Sequence, residues 1–149
     1  MPAEPITAAV HIAAEPARVF AYFTEPQALV RWMGEFARLD PAPGGEFAVD
    51  INGVPVRGRY LELDPPHRLL ISWGHAGSSR LPPGASTVEI TLTPAGGGTH
   101  VAVTHRDLPE PEATRHERGW RRFLARLEVA APGGDPGPDP LRDPARRPA

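Results

Sequence analysis

Residues 58–73 read Gly-Arg-Tyr-Leu-Glu-Leu-Asp-Pro-Pro-His-Arg-Leu-Leu-Ile-Ser-Trp and decide the fold. Apolar residues alternate with polar or small ones on both sides of the turn Asp64-Pro65-Pro66-His67, a pattern typical of half-buried strands. We take the turn as a four-residue loop, which places Tyr60 opposite Ile71. This stretch therefore predicts an antiparallel strand pair with one apolar face.

A second turn just upstream, Asn52-Gly53, predicts the neighbouring hairpin. Both central positions of a type I′ turn need positive φ, which Asn and Gly tolerate. Side chains alternate across a strand, so the turn sets which residues share a face. The inner face then holds the pairs Ile51 with Val54, Val49 with Val56, and Phe47 with Gly58. Both turns predict the same inner face.

The rest of the chain supplies further strands and helices. Ile6–Ala13 alternates as a first strand, and Pro16 and Pro26 each suit the first residue of a short helix. A hairpin is expected at residues 87–93 and 99–106. Residues 112–130 show helical periodicity. The apolar stripe of this helix is Ala113, His116, Trp120, Phe123, Leu127 and Ala130, and its outer face carries Arg115, Arg118, Arg121, Arg122 and Arg126.

Three segments together resemble a known family: Pro16–Trp32, Gly58–Trp73 and His116–Trp120. They are similar to homologues of the C-terminal domain of the heat-shock-protein ATPase activator, within the START-like (SRPBCC) superfamily of ligand-binding and polyketide-cyclase proteins. The resemblance covers about Ile6 to Ala131. It implies an α+β helix-grip fold, in which a curved antiparallel sheet of about six to seven strands wraps around a long C-terminal helix. It also implies two short helices after strand 1 and a cavity under the long helix.

Length and composition limit the classes of function. The chain has 149 residues, 40% of them hydrophobic, which suits one domain with one core. It has no cysteine, so disulfides, thiolate metal sites and cysteine nucleophiles are excluded. With a formal net charge of −2, the chain lacks the excess of positive charge that is typical of nucleic-acid-binding proteins. Neither a signal peptide nor a membrane-spanning run is evident, and we expect a cytoplasmic protein without membrane contact.

The end of the chain differs in composition from the rest. Many of the 20 prolines and 15 glycines follow Ala131. Such a segment cannot bury enough apolar surface to offset the entropy of ordering it. We therefore expect one domain at residues 1–131 and a disordered or loosely packed tail at residues 132–149.

The candidate site is the predicted inner face where it meets the long helix. Aromatic and titratable side chains that converge in an apolar cleft are the default hypothesis for a binding site. The candidate ligand-binding residues are Trp32, Phe47, Val49, Gly58, Tyr60, Glu62, Ile71, Trp73, His75, His105, His116, Trp120 and Phe123. No catalytic residue is assigned.

Several of these residues have a second interpretation. Glu62, set opposite Leu69, could instead pair with Arg68 or leave the inner face through a bulge. His105 could be a hydrogen-bonded core histidine, and His75 could lie in a solvated loop. Gly58 could leave room for a ligand or merely let two rings pack. Gly119 poses the same question on the helix, and we expect it to allow close contact between helix and sheet in preference to leaving room for a ligand.

Three functions remain open on the sequence. The first is a binding protein for a small apolar or aromatic molecule, with no cofactor. The second is a cyclase- or dehydratase-type enzyme that uses His and Glu residues of the cavity. The third is a protein-interaction module that resembles a co-chaperone, and a homodimer is left open. The histidines lack the spacing of a metal motif, so no metal site is expected.

Overall fold

The computed structural model describes residues 4–140. Within them lies one antiparallel sheet of seven strands, in the order β1-β7-β6-β5-β4-β3-β2. In chain order the elements are β1 (Ile6–Ile12), α1 (Pro16–Thr24), α2 (Pro26–Leu29), β2 (Phe36–Leu39), β3 (Glu46–Ile51), β4 (Val54–Asp64), β5 (Arg68–His75), β6 (Ser86–Ala95), β7 (Gly98–Arg106) and α3 (Glu110–Ala130). This is the predicted helix-grip fold.

The hairpin of β3 and β4 has the register that its turn predicts. Ile51 pairs with Val54, and Phe47 pairs with Gly58. Asn52 and Gly53 have φ angles of 51° and 84°, as a turn with two left-handed residues requires. The turn chemistry alone therefore fixed which residues of β3 and β4 face inward.

The predicted pairing of β4 with β5 is wrong at the turn. The loop has three residues, so Asp64 pairs with Arg68, and Glu62 pairs with Leu70 where Leu69 was expected. A bulge between Tyr60 and Glu62 absorbs the difference, and Tyr60 pairs with Ile71 as predicted. Because one slipped residue exchanges the two faces of a strand, Glu62 is turned outward.

Strand β2 was not predicted from the sequence. Its four residues pair with β3, from Phe36 opposite Asp50 to Leu39 opposite Phe47. Four residues are too few to show a clear alternation, and this strand lies at an edge of the sheet. The register of β2 is set by its pairing with β3, and its own sequence contains no recognisable strand pattern.

Helix α3 begins two residues before the predicted start. Glu110 and Glu112 lie in its first turn, where the helix dipole stabilises negative charge. The helix packs chiefly against β1. None of the helices between residues 4 and 140 is long and apolar enough to cross a bilayer.

Large side chains fill the core between the sheet and the helices. Tyr60 is fully buried and its hydroxyl donates to the carbonyl oxygen of Phe23 at 2.8 Å. Trp32 is also fully buried, and its indole N–H donates to the carbonyl oxygen of Tyr22 at 3.0 Å. Both side chains, which we had expected in a ligand site, have their polar atoms paired within the core.

The first part of the predicted tail packs on the domain. Asp139 is buried and its carboxylate lies 3.1 Å from Nε of Arg122. Arg31 donates to the carbonyl oxygen of Gly134 at 2.9 Å. Residues 132–140 therefore differ from the prediction of a loose tail. The prediction of disorder for residues 141–149 concerns a segment outside the described residues.

Candidate functional site

A cavity of about 290 Å³ lies between the tip of the β3–β4 hairpin, the end of β5 and the N-terminal half of α3. We call it the cavity. Val54 is 41% exposed at its rim, so the cavity opens to solvent beside the hairpin. Its wall consists of Ile51, Asn52, Val54, Val56, Trp73, His75, Arg115, His116, Gly119, Trp120, Arg122 and Phe123.

Five of the thirteen candidate residues lie in this wall: Trp73, His75, His116, Trp120 and Phe123. The other eight lie outside it: Trp32, Phe47, Val49, Gly58, Tyr60, Glu62, Ile71 and His105. Most of the eight are core residues, because the inner face extends far beyond the part of the sheet that the cavity covers. That the five wall residues bind a ligand stays a prediction.

The two glycines, Gly58 and Gly119, have different surroundings. A Cβ built on Gly58 would collide with the carbonyl oxygen of Ser72 on the neighbouring strand, so this glycine permits a close approach of two backbones. A Cβ built on Gly119 would meet no atom within 4 Å. The expectation that Gly119 serves close helix–sheet contact is wrong, since this glycine lies in the wall of the cavity and leaves open space beside it.

Glu62 lies on the opposite side of the sheet from the cavity. Its side chain is 60% exposed, and its carboxylate lies 3.4 Å from the guanidinium of Arg68. Arg68 also pairs with Glu89 at 2.8 Å. Both alternatives considered for Glu62, a bulge and an ion pair with Arg68, are found together, and its assignment to the ligand site is wrong.

His105 is held in the core by both of its ring nitrogens. The indole N–H of Trp120 donates to Nδ1 of His105 at 3.0 Å. Because an indole nitrogen can only donate, Nδ1 must carry a lone pair and the proton of the neutral ring is on Nε2. Nε2–H then donates to the hydroxyl of Ser86 at 2.8 Å, and this hydroxyl donates to the carbonyl oxygen of Trp73 at 2.8 Å. We call Ser86, His105 and Trp120 the histidine corner.

The histidine corner is incompatible with a charged imidazole. The pKa of His105 is lowered to about 2, chiefly by burial and to a smaller extent by the nearby His116 and His75. A proton on Nδ1 would also face the N–H of Trp120. His105 is therefore a paired core histidine, and its place in the predicted ligand site is wrong.

His75 and His116 lie in the wall of the cavity with their rings stacked, 5.6 Å between centroids and 16° between planes. Nδ1 of His116 donates to the carbonyl oxygen of Glu112 at 2.9 Å. Burial lowers the pKa of both imidazoles below its ordinary value, which favours their neutral forms. They offer the cavity two flat, uncharged rings and a lone pair at Nε2 of His116.

Several wall residues were missed. Ile51, Val54 and Val56 were predicted on the inner face, and the position of the Asn-Gly turn was the signal that could have extended the site to them. Arg115 and Arg122 were assigned to the outer face of the helix. Long arginine side chains can reach around a helix to its flank, and helical spacing does not show this.

The ionisable side chains of the wall are all basic. None of its twelve residues, all in the described part of the chain, carries a carboxylate. The side chain of Arg115 is 76% exposed and lies 3.9 Å from Glu112, a weak ion pair behind the wall. Within residues 4–140, no group of three or more His, Asp or Glu side chains is arranged to hold a metal ion.

A family model described as activator of Hsp90 ATPase homolog 1-like protein matches residues 13–131. An AHSA1-like protein from Rhizobium etli, solved by NMR, is 44% identical, with a TM-score of 0.72, over 93% of this chain and 88% of that one. CalU16 from Micromonospora echinospora is 30% identical, with a TM-score of 0.76, over 95% of this chain and 72% of that one.

A curated human relative is also similar. It is the activator of 90 kDa heat shock protein ATPase homolog 1, which is 27% identical over 110 residues. The match covers 72% of this chain and 31% of the human protein. The chain thus spans about a third of the length of the curated relatives that it matches.

Proposed function

Since this chain belongs to the family of activator of Hsp90 ATPase homolog 1-like proteins, we propose that it binds a small, largely apolar or aromatic molecule in the cavity. The observation that carries the proposal is the space under α3, walled by Trp73, Trp120 and Phe123 and left open by Gly119. Sites for small molecules are concave and mostly apolar, with few polar groups. The cavity has these properties.

The volume and the aromatic wall support this choice. Ligand pockets usually measure about 300–1,000 Å³, and the cavity of about 290 Å³ lies at the lower end of that range. Protein interiors are otherwise close-packed, and an unfilled apolar space sacrifices contacts that its lining could make. A flat aromatic molecule would restore those contacts against the ring faces of Trp73 and Trp120.

The cyclase-type alternative loses its expected acid–base pair. Glu62 lies on the outer face of the sheet, and both ring nitrogens of His105 are hydrogen-bonded within the histidine corner. Any proton transfer in the cavity would therefore fall to His75 and His116. We propose that these two histidines orient the ligand, and chemical conversion of a bound molecule that stops in His75→Ala would overturn this role.

The arginine-rich outer face of α3 supports the interaction-module alternative less than expected. Arg126 donates to the carbonyl oxygens of Trp32 and Arg31, at 3.2 Å and 3.4 Å. Arg122 pairs with Asp139. Two of the five arginines thus stabilise the domain itself. A chaperone partner, a homodimer and a cytoplasmic location stay predictions.

A cavity-filling variant tests the proposal. We expect native mass spectrometry to detect a co-purified molecule, or the dye anilinonaphthalene sulfonate to bind with a Kd in the micromolar range. Gly119→Leu should weaken dye binding by about tenfold or more, because its side chain occupies space where no atom lies within 4 Å. The control is Arg118→Leu, the neighbouring exposed position on α3.

The contradicting outcomes are distinct. Equal dye binding by Gly119→Leu and the unaltered protein would place the dye elsewhere on the surface. Absence of both a co-purified molecule and dye binding would remove the proposed function. Thermal melting of both variants checks that α3 is intact.

A further inference from the structure

The C-terminal segment, residues 132–140, returns along α3 towards the cavity. The family model ends at residue 131, so this segment lies beyond the part of the chain that the family match covers. It turns back where the helix ends: the backbone N–H of Gly133 donates to the carbonyl oxygen of Ala130 at 2.9 Å, and Gly133 has a φ of 112°. The segment therefore runs beside the helix and brings Asp139 to Arg122.

Asp139 and Arg122 form an ion pair that is largely shielded from water. Nε of Arg122 lies 3.1 Å from Oδ1 of Asp139, and Nη2 donates to Oδ2 at 3.5 Å. The N–H of Nε has no hydrogen-bond partner among residues 4–140, so the pair is chiefly ionic. The side chains are 25% and 8% exposed, for Arg122 and Asp139 respectively. Charges shielded in this way attract one another more strongly than a pair on the surface does.

Arg122 belongs to the wall of the cavity, whereas Asp139 does not. The guanidinium carbon of Arg122 lies 4.6 Å from the centroid of the Phe123 ring, which is also part of the wall. A cation is attracted to the face of an aromatic ring. The ring and the carboxylate together therefore hold this guanidinium beside the cavity.

The charge of Arg122 is the one that solvent screens least in the wall. The side chain of Arg115, the other arginine of the wall, is 76% exposed, against 25% for Arg122. Water screens exposed charges strongly. Burial lowers the pKa of His75 and of His116, which favours their neutral forms. Whether a ligand meets a net positive charge thus depends on the compensation of Arg122 by Asp139.

We infer that residues 132–140 complete the ligand site, and that Asp139 determines its specificity: by compensating the charge of Arg122, it makes the cavity select uncharged molecules over acidic ones. This inference rests on the proposed function, because it specifies the occupant of the same cavity. Asp139 acts through Arg122 and is a positioning residue. A charge acts through space, so a ligand need not touch the guanidinium to be affected by it.

The test compares two probes of one shape and different charge, naphthaleneacetamide and naphthaleneacetate. At pH 7 the acetate is ionised and the amide is neutral. By calorimetry on the full chain, we expect the amide to bind about fivefold or more tightly than the acetate, because an ionised carboxylate loses hydration that no free cation of the wall replaces. Tighter binding of the acetate to the unaltered protein would overturn the inference.

The variant Asp139→Asn removes the charge and keeps the shape of the side chain. The ratio of the two affinities should move towards the acetate by about fivefold or more, because Arg122 is then uncompensated. This shift is expected whether or not the segment stays docked, since Arg122 loses the carboxylate in either case. Asp139→Glu restores the charge and should keep the preference for the amide. In an Arg122→Met background, Asp139→Asn should change the ratio by less than about twofold.

The matched control is Glu117→Gln. Glu117 pairs with Arg121 at 4.0 Å on the same helix, and neither residue lines the cavity. This variant changes the net charge as Asp139→Asn does and should leave the ratio unchanged. Equal weakening of both probes in Asp139→Asn, or an equal shift in the control, would overturn the inference and leave the proposed function standing. Failure of both probes to bind any of these proteins would count against the proposed function itself.

Discussion

The histidine corner and the cavity lie side by side under α3, and they use the same kinds of residue in opposite ways. In the corner, Ser86, His105 and Trp120 satisfy one another's polar atoms in a closed chain of hydrogen bonds. In the cavity wall, the indole nitrogen of Trp73 has no hydrogen-bond partner among residues 4–140. The difference teaches that residue type does not mark a site; the state of pairing does.

Trp120 belongs to both regions, so its removal should have the largest effect. Trp120→Ala should lower the free energy of unfolding by about 3–5 kcal/mol, because it deletes a nearly fully buried ring and the donor to His105. Urea unfolding measures this change. Arg118→Ala, exposed on the same helix, should change stability by less than about 0.5 kcal/mol. A loss below about 1 kcal/mol for Trp120→Ala would contradict its place in the core.

Acid should break the histidine corner. The pKa of His105 is lowered from 6.5 to about 2 in the folded protein, so below pH 6.5 the unfolded chain binds a proton that the folded chain does not. Stability is therefore lost as pH falls. Between pH 7 and pH 5, His105 should account for a loss of about 2 kcal/mol. The lowered pKa values of His75 and His116 act in the same direction.

The variant His105→Gln isolates this contribution. An amide side chain can accept from Trp120 and donate to Ser86, and it has no titrating proton in this range. Urea unfolding at pH 7 and pH 5 should show a smaller acid loss for the variant, by about 2 kcal/mol. Parallel losses in the two proteins would show that His105 is protonated in the folded state.

Paired and unpaired indoles should differ in cost. Trp32→Phe and Trp73→Phe make the same truncation, but the indole N–H of Trp32 donates to the carbonyl oxygen of Tyr22 and that of Trp73 has no partner among residues 4–140. In the unliganded protein, Trp32→Phe should be more destabilising than Trp73→Phe by about 1 kcal/mol. Chemical denaturation of both variants gives the comparison. The reverse order would mean that Trp73 has a partner.

The smallest expected effect is a gain. Gly119→Ala should raise the free energy of unfolding by about 0.4–1 kcal/mol, because Ala favours the helix and its methyl group meets no atom within 4 Å. Thermal melting checks it. A loss of stability would show that the space above Gly119 closes in solution, and would remove the contrast with the densely packed corner.

The sequence predicted the parts of the fold that depend on local backbone chemistry. The Asn52-Gly53 turn needs two left-handed residues, and it correctly set the inner face of β3 and β4. No comparable sequence signal marks the bulge near Leu61. This bulge compensates for the length of the loop between β4 and β5, which is set by how the two strands pair. Because of that bulge, the side chain of Glu62 faces outward, and the sequence could not show this.

The candidate site was harder to predict, for a related reason. Periodicity identifies an inner face, and it cannot show which part of that face the helix covers closely. Phe47 and Tyr60 therefore had the same sequence signal as Trp73, although the first two lie in the packed core and only Trp73 lines the cavity. Hydrogen-bond pairing, which separates His105 from His75, depends on neighbours from distant elements.

The position of β1 has a consequence for how the chain is made. In the described sheet, β1 borders only β7, and Ile6 pairs with His105. During synthesis the first strand must wait until β7 has left the ribosome, whereas the β3–β4 hairpin can close on its own turn at once. Closing so long a loop costs entropy that its late contacts must offset. We therefore expect assembly of the sheet to begin at the hairpin beside the cavity and to end with the pairing of β1.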